Sequence, residues 1–462
     1  MPCRQTVLYT VNEGAFFLLY VTKVYIKYFI KKGDLFLMKK ILSLVLAAVM
    51  LISVLMLASC GETEEADITV GAIYIGSQNE EAGYTYAHHT GITKAIKQLE
   101  DEGYTVKLLI RDNVPEEDAA VTAAIDALAN QGANIIFGIS FGYMTSFEEA
   151  ANKEEYADII FSHATGAASN ETNFNNYFGR IYQARYLSGI AAGLKAKEVG
   201  KGDGETYNIG YVSAYGTDYA ETCSGINAFT LGVQSILGDE AKVYVKQIKQ
   251  WGNPTLERQA AEALINTYKC VVIAQHCDSA QPQIAAEEAG VFGCGYNSDM
   301  TPSAPKAHLT APIWNWEVYY KFAIETALTD SANFMDKVGI YYGGLKEGFV
   351  DISPLSENCT EDTAAKIDVV KNMILSGEWD VFSNVKLSFD EEGKVVKTTA
   401  AMMTNDDKVV ISEDNASYYV YEKDENGELT GNMTEIGGAD TIDGIIKGSM
   451  NYYVAGVTDV TE

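Results

Sequence analysis

The chain has 462 residues, of which 34 are Lys or Arg and 63 are Asp or Glu, so its formal net charge at pH 7 is −29. This length is sufficient for two domains of ordinary size. So acidic a protein repels the phosphates of nucleic acid and the headgroups of anionic lipid. We therefore exclude nucleic acid as a partner.

A basic segment, an apolar run and a small-residue segment follow one another near the N-terminus. They are Met38–Lys40, Ile41–Leu55 and Leu57–Gly61. This order is typical of a secretory signal, and the apolar run is shorter than the about 20 residues that a membrane span needs. Residues 38–59 are therefore predicted to be a signal peptide, and an uncleaved anchor helix is the alternative.

The segment Leu57–Cys60 is similar to the bacterial lipoprotein box. In that signature the cysteine is acylated and becomes the first residue of the mature chain, so Cys60 is the predicted lipidation site and anchors the protein to the cell membrane on its extracytoplasmic side. Residues 60–67 are acidic and lack an apolar period, so they are predicted to form a solvated tether. Residues 1–37 are interpreted as an upstream extension from a mis-set start codon, with a real extra membrane segment as the alternative.

Five cysteines remain once Cys3 and Cys60 are set aside. Their number is odd, and they show neither CxxC nor Cys/His spacing, which argues against a zinc site and a full disulfide framework. We expect buried, reduced thiols, and we expect no metal and no cofactor. The five are Cys223, Cys270, Cys277, Cys294 and Cys359.

Short apolar strands alternate with helical patterns from Ile68 onward, twice over. A repeated strand-helix-strand order indicates a parallel sheet covered on both faces, and two such series favour a two-lobed clamp. The predicted strands are Ile68–Ile75, Tyr104–Arg111, Asn134–Ile139, Asp158–Ser162, Tyr207–Val212, Lys242–Gln247, Cys270–Ala274 and Val291–Tyr296. The predicted helices are Tyr86–Glu102, one starting near Pro115, Ala220–Leu237, Thr255–Tyr268 and Gln281–Ala289.

From Asp380 onward the pattern changes to polar, hairpin-like strands separated by Gly-rich or Asn/Asp turns. We interpret this tail as an elaboration of one lobe. The predicted strands are Val385–Phe389, Val395–Thr399, Val409–Ile411 and Tyr418–Glu422.

Composition and periodicity alone allow a sugar, amino-acid or nucleobase receptor, or an exported hydrolase. Ligands on parallel sheets bind at the carboxyl ends of the strands. Aromatic and hydrogen-bonding side chains follow several predicted strands here and mark a candidate cleft. These segments are Gly76–Asn79, Gly83–His88, Phe137–Met144, Gln275–Ser279 and Gly295–Met300.

These and further segments carry a resemblance to a known family. The chain resembles the basic membrane protein family of lipoproteins, the purine-nucleoside-receptor-like substrate-binding proteins of ABC importers. The resemblance runs in order over most of residues 68–350 and returns at Tyr452–Val457. The matching segments are Gly83–His88, Phe178–Gly189, Gly225–Gly232, Ala285–Val291, Gly295–Met300 and Lys306–Trp316.

The resemblance implies an α/β chain with the type I periplasmic-binding fold, in which two doubly wound lobes close on a purine base or nucleoside. Residues 68–182 with 306–345 would form the first lobe, and residues 183–305 with 346–462 the second. It also implies an ABC permease as partner and a separate ATPase chain, with this chain itself a monomer.

Two aromatic residues are candidates for stacking on the flat faces of a purine. Tyr84 stands where the family places its base-stacking aromatic, which is Trp in most members of the branch with a Gly-Trp-Thr-Tyr-Ala-His segment. Trp251, after a predicted strand, is the candidate for the opposite face. The alternative for either is an ordinary packed or surface aromatic.

Hydrogen bonds to the purine edge need donors and acceptors at the strand ends. We expect Asp278, Asn297 and Asp299 to supply them, with Gln183 and Tyr86 as further candidates. Helix N-capping is the alternative for both aspartates, because short segments that suit a first helical turn follow each of them.

A departure from the family concerns ribose recognition. Nucleoside-binding members carry a Lys shortly after their Leu-Thr-Ser segment, and aligning Leu309–Ala311 with that segment puts Trp314 at the position. This departure favours a free base such as adenine over a nucleoside. Lys306, eight positions upstream, is the alternative contact for ribose.

The sequence lacks the motifs of the enzymes considered. His88 and His89 point to different faces of a helix and show no HExxH spacing. Neither a GxSxG elbow nor a Walker A motif occurs, and Ile75–Glu80 lacks the aspartate cluster of a nucleoside hydrolase. We therefore expect a binding protein and not an enzyme, while a sensor lobe for a signalling partner shares every feature above.

Overall fold

A computed structural model describes residues 66–81, 83–201, 205–383, 385–399, 402–413, 417–438 and 450–461. The predicted extension, the signal peptide, Cys60 and most of the tether therefore lie outside the described residues. Within the described ranges, no helix is both long and apolar enough to cross a membrane.

Strands and helices alternate along most of the described chain. The strands are β1 (Ile68–Tyr74), β2 (Val106–Arg111), β3 (Ile135–Ile139), β4 (Ile160–Ala164), β5 (Phe174–Gly179), β6 (Tyr207–Ser213), β7 (Ala241–Gln247), β8 (Val272–His276), β9 (Phe292–Cys294), β10 (His308–Thr310), β11 (Pro312–Trp314), β12 (Tyr341–Gly343), β13 (Val350–Ile352), β14 (Val385–Phe389), β15 (Val395–Thr399), β16 (Met402–Met403), β17 (Val409–Glu413), β18 (Ser417–Lys423), β19 (Leu429–Gly438) and β20 (Val457–Asp459). The helices are α1 (Gly83–Asp101), α2 (Asp118–Ala129), α3 (Met144–Ala151), α4 (Ile181–Val199), α5 (Ala220–Leu237), α6 (Pro254–Asn266), α7 (Gln281–Glu288), α8 (Trp316–Asp330), α9 (Phe334–Lys337) and α10 (Thr363–Leu375).

Two six-stranded parallel sheets form the core of two lobes. The first has the strand order β2-β1-β3-β4-β5-β12 and the second the order β20-β7-β6-β8-β9-β10. All five residues of β3 are buried, as expected for a strand that helices cover on both faces. The two α/β units predicted from the alternating pattern are thus confirmed.

The chain passes between the sheets near residues 180, 311 and 345, and β11 pairs antiparallel with β13 in this region. One predicted boundary is wrong. The sequence assigned residues 306–310 to the first lobe, but His308 and Thr310 still pair with β9 in the second sheet.

Helices α4 and α5 approach each other closely in the second lobe because each carries a glycine at the contact. A Cβ on Gly189 would lie 2.2 Å from the Phe229 carbonyl oxygen, and one on Gly232 would lie 2.2 Å from the Tyr186 carbonyl oxygen. Every residue from Ile181 to Ala196 is buried. A helix without a polar face shows no amphipathic period, which explains why the sequence pattern does not predict α4.

The tail departs from the two sheets and then returns to the second. Strands β14 and β15 form a hairpin, and β16 to β19 form an antiparallel sheet. Strand β20 then pairs with β7, so the tail elaborates the second lobe. The buried Asn227 on α5 holds the segment that leads into β20. Its side chain donates to the Tyr452 carbonyl at 2.8 Å and accepts from the Val454 amide at 2.9 Å.

The prediction of reduced thiols is confirmed. Four cysteines are free and buried, and Cys359 is free and partly buried. Burial raises the pKa of the Cys223 thiol to about 12, so this group is a poor nucleophile.

Candidate functional site

A cavity of about 880 Å³ lies between the two lobes at the carboxyl ends of their strands. Its volume is in the range of small-molecule sites. Residues that follow β1, β3 and β4 line one wall, and residues that follow β6, β7 and β8 line the other. The lining comprises Ile75, Gly76, Glu80, Gly83, Tyr84, Thr85, Ser140, Phe141, Thr165, Gly166, Ala167, Phe178, Asp218, Tyr219, Ala220, Glu221, Trp251, Gly252, Asp278, Tyr296, Trp314 and Trp316.

Four stacked rings lie at the cavity wall, and three of them, Phe178, Trp314 and Trp316, line it. The His88 ring stacks on Trp316 with centroids 3.8 Å apart, Trp316 stacks on Trp314 at 4.7 Å, and Trp314 stacks on Phe178 at 4.9 Å. His88 Nδ1 lies 2.6 Å from the Tyr320 hydroxyl. Burial holds the pKa of His88 well below its ordinary value, so the imidazole is neutral and acts as a packing group.

Tyr84 stands in the first turn of α1 and lines the cavity. Its ring meets the edge of His88 with centroids 4.4 Å apart. Burial holds the pKa of the Tyr84 phenol well above its ordinary value, and the Asp278 carboxyl adds to this effect. The ring therefore offers an uncharged aromatic face, as the stacking prediction requires.

Trp251 faces the cavity from the second lobe. It makes edge contacts with Tyr215 and Tyr219, whose ring centroids lie 5.0 and 5.7 Å away. Phe141 of the first lobe makes a T-shaped contact with Tyr219 across the cleft at 6.2 Å. Aromatic side chains from both lobes thus meet at the mouth of the cavity.

Asp278 is the partly buried carboxyl of the cavity. Burial raises its pKa to about 8, and the negative charges of Glu257 and Glu80 act in the same direction. Asn297 Nδ2 donates to Asp278 Oδ1 at 3.1 Å. At neutral pH this carboxyl therefore keeps its proton for most of the time and can both donate and accept hydrogen bonds.

Glu257, behind Asp278, holds the loop that carries it. Its Oε2 accepts from the amide and the hydroxyl of Ser279 at 3.0 and 2.5 Å, and its Oε1 accepts from the Asn253 amide at 2.8 Å. The Asp278 amide donates to the Trp251 carbonyl at 3.1 Å. Asp278 and Trp251, two predicted site residues of the second lobe, are thus fixed to each other.

A polar cluster borders the cavity on the second lobe. His276 Nε2 lies 2.9 Å from Glu221 Oε1, and the Arg185 guanidinium lies 3.9 Å from the ring centroid of Tyr296. Burial lowers the pKa of His276, and the nearby charge of Arg185 adds to this effect. The cluster thus combines a neutral imidazole with one buried guanidinium and one carboxylate.

The described lining carries four carboxyl groups and neither Lys nor Arg. They belong to Glu80, Asp218, Glu221 and Asp278, and Lys249 pairs with Asp218 at 3.0 Å. An anionic ligand would be repelled in this cavity, whereas a neutral ligand rich in N–H groups would find acceptors. Among the described residues, no group of His, Cys, Asp and Glu is arranged to hold a metal ion.

The structure brings together Tyr84, Trp251, Asp278 and Trp314 as lining residues, with Asn297 directly behind Asp278. Helix α7 has no side-chain cap, so the capping alternative for Asp278 is wrong.

Three further predicted site residues do not line the cavity. Gln183 donates to Asp380 Oδ2 at 3.0 Å and accepts from the Leu345 amide at 2.9 Å, so its amide joins chain segments within the fold. Asp299 Oδ1 accepts from the amide and hydroxyl of Thr301 within a turn where no helix begins. Tyr86 lies on α1 outside the lining.

Several lining residues are missing from the sequence-based prediction. Thr165 follows β4, and Asp218 to Glu221 follow β6. The strand-end rule applies to them in the same way as to the predicted segments. Phe178 lies within β5 and Trp316 opens α8, and neither element is predicted from the sequence pattern.

Comparison with known proteins gives consistent results. Residues 68–384 match a family described as ABC transporter substrate-binding protein, PnrA-like. A purine-binding protein of Brucella abortus is 33% identical over 71% of this chain and 86% of its own length. A putative ABC transporter glucose-binding protein of Haloferax volcanii is 31% identical over 70% of this chain and 76% of its own length.

Solved structures share the fold at low identity. An ABC transporter solute-binding protein of Aeropyrum pernix superposes with a TM-score of 0.55 at 18% identity, over 70% of this chain and 94% of that one. Another from Conexibacter woesei gives 0.51 at 17% identity, over 68% of this chain and 98% of that one. With two parallel α/β sheets enclosing a cavity, and with this family match over most of its length, the chain belongs to the PnrA-like family of ABC transporter substrate-binding proteins.

Proposed function

We propose that this protein is an extracytoplasmic, lipid-anchored receptor that captures a purine base or nucleoside and delivers it to an ABC permease. The observation that carries the proposal is the cavity, which combines aromatic walls with four carboxyl groups and has neither Lys nor Arg among its described lining residues. A purine stacks on flat apolar faces and presents N–H groups and ring nitrogens along its edge. Tyr84 and Trp251 are proposed for stacking, and Asp278 for the edge.

The purine ligand is supported by the chemistry of the cavity and by one of the two relatives. Glucose is the ligand named for the other relative, so both classes belong in the test. Mass spectrometry of small molecules released by denaturing the purified protein identifies the natural ligand directly. Recovery of a purine supports the proposal, and recovery of a hexose alone contradicts it.

Transport requires partners that this chain does not contain. We propose a permease with a separate ATPase chain as the physiological partner, with this protein acting as a monomer tethered through Cys60. A ligand sensor that presents its closed form to a signalling protein is the alternative. Deletion of the gene for this protein abolishes ligand uptake in the first case and leaves uptake unchanged in the second.

Replacement of Cys60 by Ala tests the proposed anchor. We expect the wild-type protein to partition into the detergent phase and the variant to remain in the aqueous phase, because one or more acyl chains supply the membrane affinity. The variant should still bind ligand. A variant that stays in the detergent phase at the wild-type level would show that another segment anchors the protein.

The cavity is expected to prefer a free purine base to its nucleoside. Trp314 offers a single donor, and its Nε1 already donates to the Tyr296 hydroxyl at 3.2 Å. The ring is also stacked between Trp316 and Phe178. Ribose hydroxyls buried without partners cost about 1 to 3 kcal/mol each, so the base should bind at least about tenfold more tightly.

Calorimetric titration with adenine, adenosine, guanine, guanosine, hypoxanthine and inosine measures this preference. Lys306, the alternative contact for ribose, is absent from the lining residues, so Lys306→Ala serves as a control that should leave the ratio of base to nucleoside affinity unchanged. Nucleosides that bind more tightly than their bases would contradict the role given to Trp314.

A further inference from the structure

Tyr296 occupies a defined place in the hydrogen bonding of the second lobe. It follows β9, lines the cavity and is buried, with 7% of its surface exposed. The indole Nε1 of Trp314 donates to its hydroxyl. Because an indole N–H can only donate, the Tyr296 oxygen must be the acceptor in this bond.

This bond leaves the hydroxyl hydrogen of Tyr296 available. In the part of the chain that the structure describes, no other hydrogen bond is made by this hydroxyl. Burial also raises the pKa of Tyr296 above its ordinary value, so the proton stays on the oxygen. A buried donor without a partner is unfavourable, and a hydrogen-bond acceptor on the ligand would remove this cost.

Arg185 holds the Tyr296 ring in place from the side of the protein core. Its guanidinium lies 3.9 Å from the ring centroid, and its Nη1 donates to the Gln275 carbonyl at 2.6 Å. Arg185 itself is 1% exposed and does not line the cavity. A cation packed against an aromatic face is attracted by its negative charge density, so the contact fixes the ring.

The groups beside the Tyr296 hydroxyl are carboxyl groups, which offer hydrogen-bond acceptors. Glu221 and Asp278 both line the cavity, and the charges of both act on the Tyr296 phenol. The edge of the second lobe therefore presents one hydroxyl donor next to two carboxyl groups. A ligand edge that has a ring nitrogen acceptor beside an N–H group matches this pattern. Such an arrangement occurs at several places around a purine ring.

We propose that Tyr296 donates a hydrogen bond to a ring nitrogen of the bound purine and so determines specificity, and that Arg185 is its positioning residue. This inference rests on the proposed function. The inference can be tested with analogues in which a carbon replaces one ring nitrogen. This replacement removes the acceptor and keeps the shape of the ligand.

The test is calorimetric titration of the full mature protein with adenine and with 1-deaza-, 3-deaza- and 7-deazaadenine. Wild type should bind at least one of the three analogues about tenfold more weakly than adenine, because that analogue lacks the acceptor and leaves the buried hydroxyl unpaired. Tyr296→Phe should bind adenine more weakly and should lose the distinction between adenine and one of the analogues that wild type binds weakly.

Tyr211→Phe is the matched control. Tyr211 is also buried in the second lobe, and its ring lies 5.9 Å from the Arg185 guanidinium, but it does not line the cavity. This variant should keep the wild-type ratio of adenine to deazaadenine affinity. Arg185→Met should reduce the ratio of adenine to deazaadenine affinity, and Arg185→Lys should restore part of this ratio. A purely structural role of Arg185 would not produce this pattern.

The outcomes separate this inference from the function on which it rests. Three analogues that bind wild type as tightly as adenine would overturn the role of Tyr296 while leaving purine binding intact. Unchanged penalties for all three analogues in Tyr296→Phe would also overturn it, because other groups would then contact the ring nitrogens. Absence of binding by every purine would refute the proposed function itself.

Discussion

Gly83→Ala is expected to weaken ligand binding by about a hundredfold, or roughly 2.8 kcal/mol, because it prevents the lobes from closing. Gly83 begins α1 in the first lobe, and a Cβ at this position would lie 2.6 Å from the carbonyl oxygen of Asp278 in the second lobe. The added Cβ would meet a backbone carbonyl and not a flexible side chain, so the colliding group cannot move away. The lobes would have to stay apart, and the ligand would remain exposed to water.

A second glycine separates this collision from backbone strain. Gly83 has a φ of +88° and Gly103 a φ of +102°, so alanine is strained at both positions. At Gly103, however, no atom lies within 4 Å of the added Cβ. Gly103→Ala should therefore lose about 1 kcal/mol of stability and keep its ligand affinity.

Calorimetry of both variants, with small-angle scattering before and after ligand addition, measures affinity and closure. We expect wild type and Gly103→Ala to become more compact on binding and Gly83→Ala to stay extended. Affinities of the two variants within about twofold of each other would show that Gly83 does not limit closure.

Adenine affinity is expected to fall by about tenfold between pH 7 and pH 9 in wild type. The Asp278 carboxyl, with its pKa raised to about 8, is protonated at the lower pH and can donate to a ring nitrogen while accepting from the amino group. Ionisation above pH 8 removes the donor, and one pH unit beyond the pKa leaves about one tenth of the protein in the protonated form. Asp278→Asn keeps one donor and one acceptor and cannot ionise, so its affinity should not change over this range.

The stability of the ligand-free protein should change in the same pH range. The ordinary pKa of an aspartate is 3.8, below the value of about 8 in the folded protein, so the unfolded chain loses this proton first as the pH rises. The free energy of unfolding therefore decreases from about pH 4 to pH 8 and levels off above it. Thermal unfolding at pH 5, 7 and 9 should show a smaller decrease for Asp278→Asn than for wild type.

Titration of adenine into wild type and Asp278→Asn at the same three pH values completes the experiment. The matched control is Glu81→Gln, an exposed carboxyl that does not line the cavity, and it should follow wild type throughout. Parallel pH profiles for wild type and Asp278→Asn would show that Asp278 does not titrate in the binding reaction.

Most of the fold can be predicted from periodicity because the strands are short, apolar and bounded by helices. The predicted helix Ala220–Leu237 and the hairpin strands Val385–Phe389 and Val395–Thr399 agree with the structure at both ends. The elements without a visible pattern were missed for a physical reason. A helix that is buried on every side, such as α4, has no polar face to mark its period.

The sequence predicts residues of the cavity lining where a suitable residue type follows a strand end, as at Asp278 and Trp251. The position of a residue along the chain does not reveal which of its side-chain atoms already form hydrogen bonds within the fold. Gln183 belongs to a matching family segment, but its amide is taken up by Asp380 and Leu345. The protonation state of Asp278 likewise depends on Glu257 and on burial, which only the packed structure shows.

The return of the tail to the second sheet affects when this lobe can form. Strand β20 pairs with β7 more than 200 residues earlier, and the buried Asn227 requires Tyr452 and Val454 as its partners. The second lobe therefore lacks an edge strand and two hydrogen bonds until synthesis has passed residue 459. Completion of the second lobe is therefore a late step in folding, because it requires contacts between segments more than 200 residues apart.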